Sequence, residues 1–203
     1  MEENKVIGRP PGKSIPARAL TNAEVNKLFS VCIGSRGLRN RAIVALALHS
    51  GARIGTIIRL TCDQLADLDG KCRTSYVVQA SNEKSKRTHR YYISRIGQQI
   101  IQDYLNTQSL IEGNPVFPSI RTGKFMTPSS GCTLFKNLLI KAGIEENSSH
   151  CGRKTFITNL YLNHGLGLAE LQVIANHQSI STTQKYLNNL TPNIHKAMAR
   201  LNY

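Results

Sequence analysis

The sequence predicts a mainly helical α+β domain with one small three-stranded antiparallel sheet. Two patterns predict this. Apolar residues recur at helical spacing through most of the chain, while β character is confined to residues 64–94. The length of 203 residues, 40% of them hydrophobic, suits one domain with a sizeable core and excludes wholesale disorder. No internal repeat is present.

The elements follow in order. Residues 1–20 hold Gly8, Pro10, Pro11, Gly12 and Pro16 and read as a flexible basic tail, leaving a domain over 21–203. Thr21-Asn-Ala-Glu24 has the form of a capping box, and Val25, Leu28 and Phe29 share one face of the helix it opens. A second helix is expected from about Leu38 to Ser50, stopped by Gly51, and a short one near Ile54–Leu60. Asp69-Gly70 signals a hairpin turn, with strands at Thr74–Val78 and Arg90–Ser94. Ile96, Ile100, Ile101 and Tyr104 return to helical spacing. Later helices are expected at 131–143, 152–163, 167–175 and 182–188, the last opened by a capping box Ser181-x-x-Gln184. A final helix starts at Pro192, after the Thr191 cap.

Charge narrows the function. Lys and Arg number 26 against 12 Asp and Glu, a net +14, which is the electrostatic footprint of a nucleic-acid binder. The basic residues are scattered, not gathered on one amphipathic helix, so a membrane surface is not the expected partner. No apolar run reaches the roughly 18 residues of a membrane span, and the first residues lack the apolar segment of a signal peptide. A cytoplasmic, nucleoid-associated protein is expected. The five cysteines, Cys32, Cys62, Cys72, Cys132 and Cys151, form no CxxC pair and are expected as small buried hydrophobes. Gly12-Lys13-Ser14 is not a phosphate-binding loop, since three residues, not four, separate Gly8 from Gly12. Gly8-Arg9-Pro10 with Lys13 has the make-up of a minor-groove arm, but one short match is weak and a flexible basic tail is the preferred reading.

Four segments carry chemistry. Gly51-Ala-Arg53 sets an arginine just after a helix stop. Ser85-Lys86-Arg87 lies in the hairpin connection. His150-Cys-Gly-Arg153 places an imidazole and a guanidinium three apart at a helix start, a pairing suited to phosphate. His177 and Tyr186 are nine residues apart, opposite each other on an unbroken helix. A break after Asn176, a residue that tolerates the left-handed conformation, lets both enter one cleft.

In this order, Arg53, Lys86, His150-x-x-Arg153, His177 and Tyr186 resemble the catalytic set of the tyrosine recombinases, the phage-integrase family. The resemblance runs from about residue 21 to the C-terminus and is strongest over His177-x-x-Ile-Ser-Thr-Thr-x-x-Tyr186. It implies the DNA breaking-rejoining fold and transesterification at a DNA phosphodiester with no metal or nucleotide cofactor. Tyr186 is then the nucleophile that forms a 3′-phosphotyrosine. Arg53 and Arg153 hold the non-bridging oxygens and His177 donates a further hydrogen bond. His150 takes the tyrosine proton and Lys86 protonates the leaving 5′-oxygen. Lys84 competes with Lys86. The latter is preferred because it lies eight residues before Ser94, where the family commonly has a strand proline. Lys84, Arg87, Arg90, Arg9 and Lys13 are expected to contact DNA, Arg87 and Arg90 as backbone-phosphate contacts or else as solvated hairpin charges.

Three positions depart from the family pattern. Thr56 stands where a glutamate commonly follows the first arginine, which puts the support of Arg53 in doubt. Lys154 replaces a frequent histidine and Asn176 a usual glycine. The implied partners are double-stranded DNA, accessory DNA-bending proteins and the chain itself, as a tetramer on two sites. That tetramer is expected to be joined through a C-terminal helix striped by Ile194, Ala197, Met198 and Leu201, the alternative being that this stripe folds back onto the chain's own core. The size resembles the single-domain invertases that switch fimbrial promoters. A type IB topoisomerase-like relaxase and a non-catalytic DNA-binding regulator are the alternatives on the same fold. His49 is expected to be packed or capping, and His89, His164 and His195 at the surface. Tyr91, Tyr92, Tyr104 and Tyr161 are expected in the core or on strands.

Overall fold

The computed structural model describes residues 17–83, 87–144 and 147–187, without the side chains of Asn82 and residues 185–187. Helix α1, Asn22–Ser30, opens on the expected box: the Glu24 amide donates to Thr21 Oγ1 at 3.2 Å, and the Thr21 amide to Glu24 Oε2 at 2.8 Å. Helix α2, Gly37–His49, is the centre of the molecule. Its run Ala42–Leu46 is wholly buried, as an apolar run without an amphipathic stripe requires. Short helices α3, Ile54–Ile57, and α4, Cys62–Leu65, lead to strands β1, Ser75–Val78, and β2, His89–Tyr92. Helices α5, Arg95–Leu105, and α6, Pro128–Lys141, complete the body. Helices α7, Cys151–His164, α8, Leu168–Ile174, and α9, Ile180–Leu187, follow.

The strands pair antiparallel with Ser75 opposite Tyr92 and Val78 opposite His89. Tyr76 and Val78 face inward, and the Tyr76 ring stacks on Tyr91 with centroids 5.3 Å apart. The expected three-stranded sheet has two strands among the described residues. The third reduces to a single bridge, Ala66 to Cys72, around the Asp69-Gly70 turn. The cause is α4: Gln64 reaches back to the Thr61 amide at 3.1 Å, and this local closure takes Cys62–Leu65 into a helical turn.

Other boundaries shift modestly. Ordered contacts begin before Thr21. The Arg18 amide donates to Asn147 Oδ1, the Leu20 amide to Thr155 Oγ1, and Leu20 is buried. Ile96 is 61% exposed, so the buried face of α5 is carried by Ile101, Tyr104 and Leu105. Helix α9 begins at Ile180, not at the expected 182. Ser179 stands ahead of it and accepts from the Ser181 amide at 3.2 Å, so Ser181 lies in the first turn and is not the cap. Cys32, Cys62 and Cys151 are buried as expected, but Cys72 is only half-buried and Cys132 is exposed. No described helix is long and apolar enough to cross a membrane. The expected helix from Pro192 lies outside the described residues.

Candidate active site

The site forms where α2, α3, α6 and α7 converge. Helix α2 ends at Gly51, whose φ of +66° suits glycine and whose α-carbon lies against the Phe156 ring of α7. Gly152 lets α7 approach α2 closely, since a Cβ there would stand 2.8 Å from that of Ala47. The chain leaving Gly51 places Arg53 at the N-cap of α3, its side chain 21% exposed. Arg53 and His150 open onto one cavity of about 530 Å³, together with Thr56, Glu83, Cys132 and Ser149. His150 is exposed at the N-cap of α7.

Arg153 lies on the same helix start, but the two residues are not equivalent. Arg153 is 1% exposed; its Nη1 donates to Gly51 O at 2.7 Å and its Nη2 to Ala175 O. It therefore ties the end of α2 to the residue following α8. Just beyond, Asn176 takes φ of +48°, the left-handed turn expected of it. This delivers His177 to a buried position, 6% exposed, with Nδ1 2.9 Å from Thr183 Oγ1 of α9. Burial, then the charges of Arg153 and Arg53, push the His177 imidazole down to about 4. It is neutral at physiological pH, and both arginine charges act on it. The backbone of Tyr186 lies in α9, two turns past Ser179; its side chain lies outside the described residues.

Glu83 is the functional candidate that motif reading missed. It is 2% exposed in the connection between the strands. Its Oε2 lies 3.5 Å from Arg53 Nη1, while Oε1 accepts from Thr56 Oγ1 at 3.1 Å and from Tyr91 Oη at 2.7 Å. The signal in the sequence was its isolation, as the one acid between Asp69 and Asp103 in a basic stretch. Tyr91 is accordingly a buried core residue, with its hydroxyl pushed above its usual range by burial and by Glu83.

The remaining candidates divide. Lys86, Lys84, Arg9 and Lys13 lie outside the described residues. Arg87 and Arg90 are exposed beside the hairpin, and Arg90 Nη1 donates to Ser75 Oγ at 3.1 Å. His49 is packed as expected, Nδ1 2.8 Å from Ser94 Oγ. His89 is not a surface residue: it is half-buried, Nε2 lies 3.2 Å from Ile174 O, and its ring meets Tyr91 edge-on. His164 is exposed.

This fold is that of the tyrosine recombinase catalytic domains. The crystal structure of XerA recombinase superposes with a TM-score of 0.72 at 24% identity, over 96% of this chain and 68% of that one. XerH site-specific recombinase, bound to palindromic difH substrate in a post-cleavage complex, gives 0.69 at 17%, over 96% and 56%. The chain belongs to the phage integrase family, whose pattern matches residues 18–192. Probable integrase/recombinase YoeC of Bacillus subtilis is 27% identical over 172 residues, 85% of this chain and 88% of that protein. Tyrosine recombinase XerD of Shewanella oneidensis is 30% identical over 164 residues, 80% of this chain. The chain spans about half, 51%, of that XerD.

Proposed function

We propose that this chain is a site-specific DNA recombinase that cuts and rejoins double-stranded DNA through a 3′-phosphotyrosyl intermediate on Tyr186. The observation that carries the reading is the shared cavity of Arg53 and His150, with buried His177 under the charge of both Arg53 and Arg153. Arg53, Arg59 and His150 line that cavity, and α9, whose backbone carries Tyr186, is linked to His177 through Thr183; gathered positive charge is what a five-coordinate phosphorane needs.

The residues divide the work. Tyr186 Oη attacks phosphorus, the P–O5′ bond breaks, and the bond energy stays in the phosphotyrosine for a later 5′-hydroxyl to reclaim. Arg53, open to the cavity, faces the non-bridging oxygens, and Arg153 adds positive charge from its buried position. A neutral His177 donates one hydrogen bond without adding charge. Thr183 at Nδ1 leaves Nε2 as the donating nitrogen when the hydroxyl is the donor of that pair. His150, exposed at the cavity, accepts the tyrosine proton, and Lys86 supplies one to the 5′-oxygen. Arg87 and Arg90 contact DNA phosphates beside the hairpin, as do Lys84 and, from the N-terminal arm, Arg9 and Lys13. The helix expected from Pro192 onward would join protomers into a tetramer on two sites.

A nicked suicide substrate tests the proposal. The wild-type chain should become covalently attached to the 3′-end. Tyr186→Phe should lose the adduct entirely while binding DNA almost as well, since one hydroxyl is removed. An adduct at the wild-type level in Tyr186→Phe would sink the assignment; no adduct in the wild type would favour a non-catalytic DNA binder.

A further inference from the structure

Arg53 needs a carboxylate to hold it, and the position one helical turn on, Thr56, has none. A guanidinium at the mouth of a cavity has many rotamers, and an arginine that must meet a phosphate in one geometry gains from a fixed anion behind it. The anion present is Glu83. It comes from the opposite side of the cleft, out of the connection between β1 and β2, and it is built in. The carboxylate is buried, one oxygen fixed by two hydroxyl donors and the other turned to Arg53 Nη1. Thr56 is itself buried and short, so its hydroxyl reaches Glu83 where a longer acid would collide with it.

We infer that Glu83 is the positioning residue for Arg53, with Thr56 and Tyr91 as its anchors, and that the carboxylate support of this site has moved from α3 to the hairpin connection. The inference rests on the strand-cleavage reading above. It has a consequence for the mechanism. Glu83 stands three residues before Lys86. The same segment therefore sets the phosphate-facing arginine and leads into the stretch carrying both candidate acid lysines.

The test uses the full chain and two DNA substrates. One has an ordinary scissile phosphate; the other has a methylphosphonate there, which is neutral and makes less demand on a positive partner. Glu83→Gln keeps the shape and removes the charge. Adduct formation on the phosphate should fall about 10²-fold, the size expected when a reacting group is held about 1 Å out of place. DNA affinity should stay within about twofold, since Glu83 is buried and offers no phosphate contact. On the methylphosphonate the defect should largely disappear, as it should for Arg53→Ala. The double variant Arg53→Ala/Glu83→Gln should be no slower than Arg53→Ala alone. A defect undiminished on methylphosphonate, or one that multiplies in the double variant, overturns the inference. If Glu83→Gln does not fold, Tyr91→Phe, which removes the closest anchor, should give a smaller defect with the same substrate dependence. Nitrogen-15 spectra of the Arg53 guanidinium in the DNA-free chain provide a readout independent of activity. Slow rotation in the wild type should become fast in Glu83→Gln or Tyr91→Phe, and unchanged spectra would refute the pairing. These spectra stand even if the wild type forms no adduct, an outcome that would count against the cleavage reading and not against the pair.

Discussion

The body around α2 and the segment α7–α9 are held together by different physics. In the body, Ala42, Ile43, Val44, Ala45 and Leu46 are entirely buried, and Leu28, Ile57, Ile101, Phe117 and Phe135 close around them. Beyond the start of α7 the apolar cluster is small: Ile157, Leu171 and Ala175, flanked by half-buried Phe156, Leu160, Tyr161, Leu166 and Leu168. Leu162, Val173 and Ile180 are exposed there. What fixes this region is polar and directional: Arg153 on Gly51 O and Ala175 O, His89 on Ile174 O, His177 against Thr183. Apolar burial sets how strongly a region resists opening, while hydrogen bonds set where it sits. Among the described residues, the helix that carries Tyr186 thus belongs to the region with the smaller buried apolar cluster, tied to its neighbours by a few directional hydrogen bonds. That suits the role proposed for Tyr186, a nucleophile placed on a phosphate in one step and withdrawn in another.

Truncating one leucine in each region gives the largest test of this contrast. Leu46→Ala should cost about 2–5 kcal/mol, because the packed body cannot collapse onto the gap. Amide exchange should then rise everywhere together. Leu171→Ala should fall at the low end of that range, and faster exchange should stay within α8 and α9. Equal costs, or a body-wide response to Leu171→Ala, would mean one cooperative core and no distinction between the regions.

A smaller effect should follow from Arg153→Lys. Lysine keeps the charge but has no planar fork to reach two carbonyls at once. Leaving one of Gly51 O and Ala175 O unsatisfied should cost roughly 1–3 kcal/mol. The loss should appear as faster exchange at residues 175–184, with α2 unaffected. It should also slow cleavage more than it weakens DNA binding. If exchange rises equally in α2, Arg153 stabilises the body and does not act as the tie between the two regions.

The sequence disclosed whatever is decided within a few residues. The Thr21–Glu24 box, the Gly51 stop and the left-handed Asn176 all stand where local chemistry puts them. Two errors were also local, and arose where one stretch offers two solutions. Ser179 and Ser181 can each cap α9, and the earlier one does so. Thr61 to Gln64 closes a helical turn that runs to Leu65, into the start of the 64–94 stretch where a three-stranded sheet was expected. The support of Arg53 was illegible for a different reason. Thr56, Glu83 and Tyr91 are brought together only by the tertiary fold, and no spacing rule links them. The family pattern directed attention to position 56, while the charge had come in from the hairpin.

Acid should give the subtlest separation of the two regions. His177, in the α7–α9 region, is held at about 4 by burial and by the charges of Arg153 and Arg53, against an ordinary value of 6.5. Burial also lowers His49, at the end of α2, and His89, which bridges to α8. For each the folded value lies below the unfolded one. Below about pH 6.5 the unfolded chain therefore binds more protons, and stability falls as pH falls. For His177 the loss accumulates from about pH 6.5 and is complete below about pH 4. Glu24, lowered to about 2 by Arg18, acts in the same direction but only below its ordinary 4.5, and its ion pair is partly exposed and so screened by solvent. The interval between about 6.5 and 4.5 accordingly belongs to the histidines. Across it, exchange in α8 and α9 should rise before exchange in α2, because His177 and His89 both act on the weakly buried region. His177→Gln removes one titrating group, so the stability gap between it and the wild type should narrow steadily as pH drops. A gap that stays constant from about pH 7 to about pH 4.5 would show that His177 does not titrate with unfolding, and the acid sensitivity would then have to come from His49 and His89.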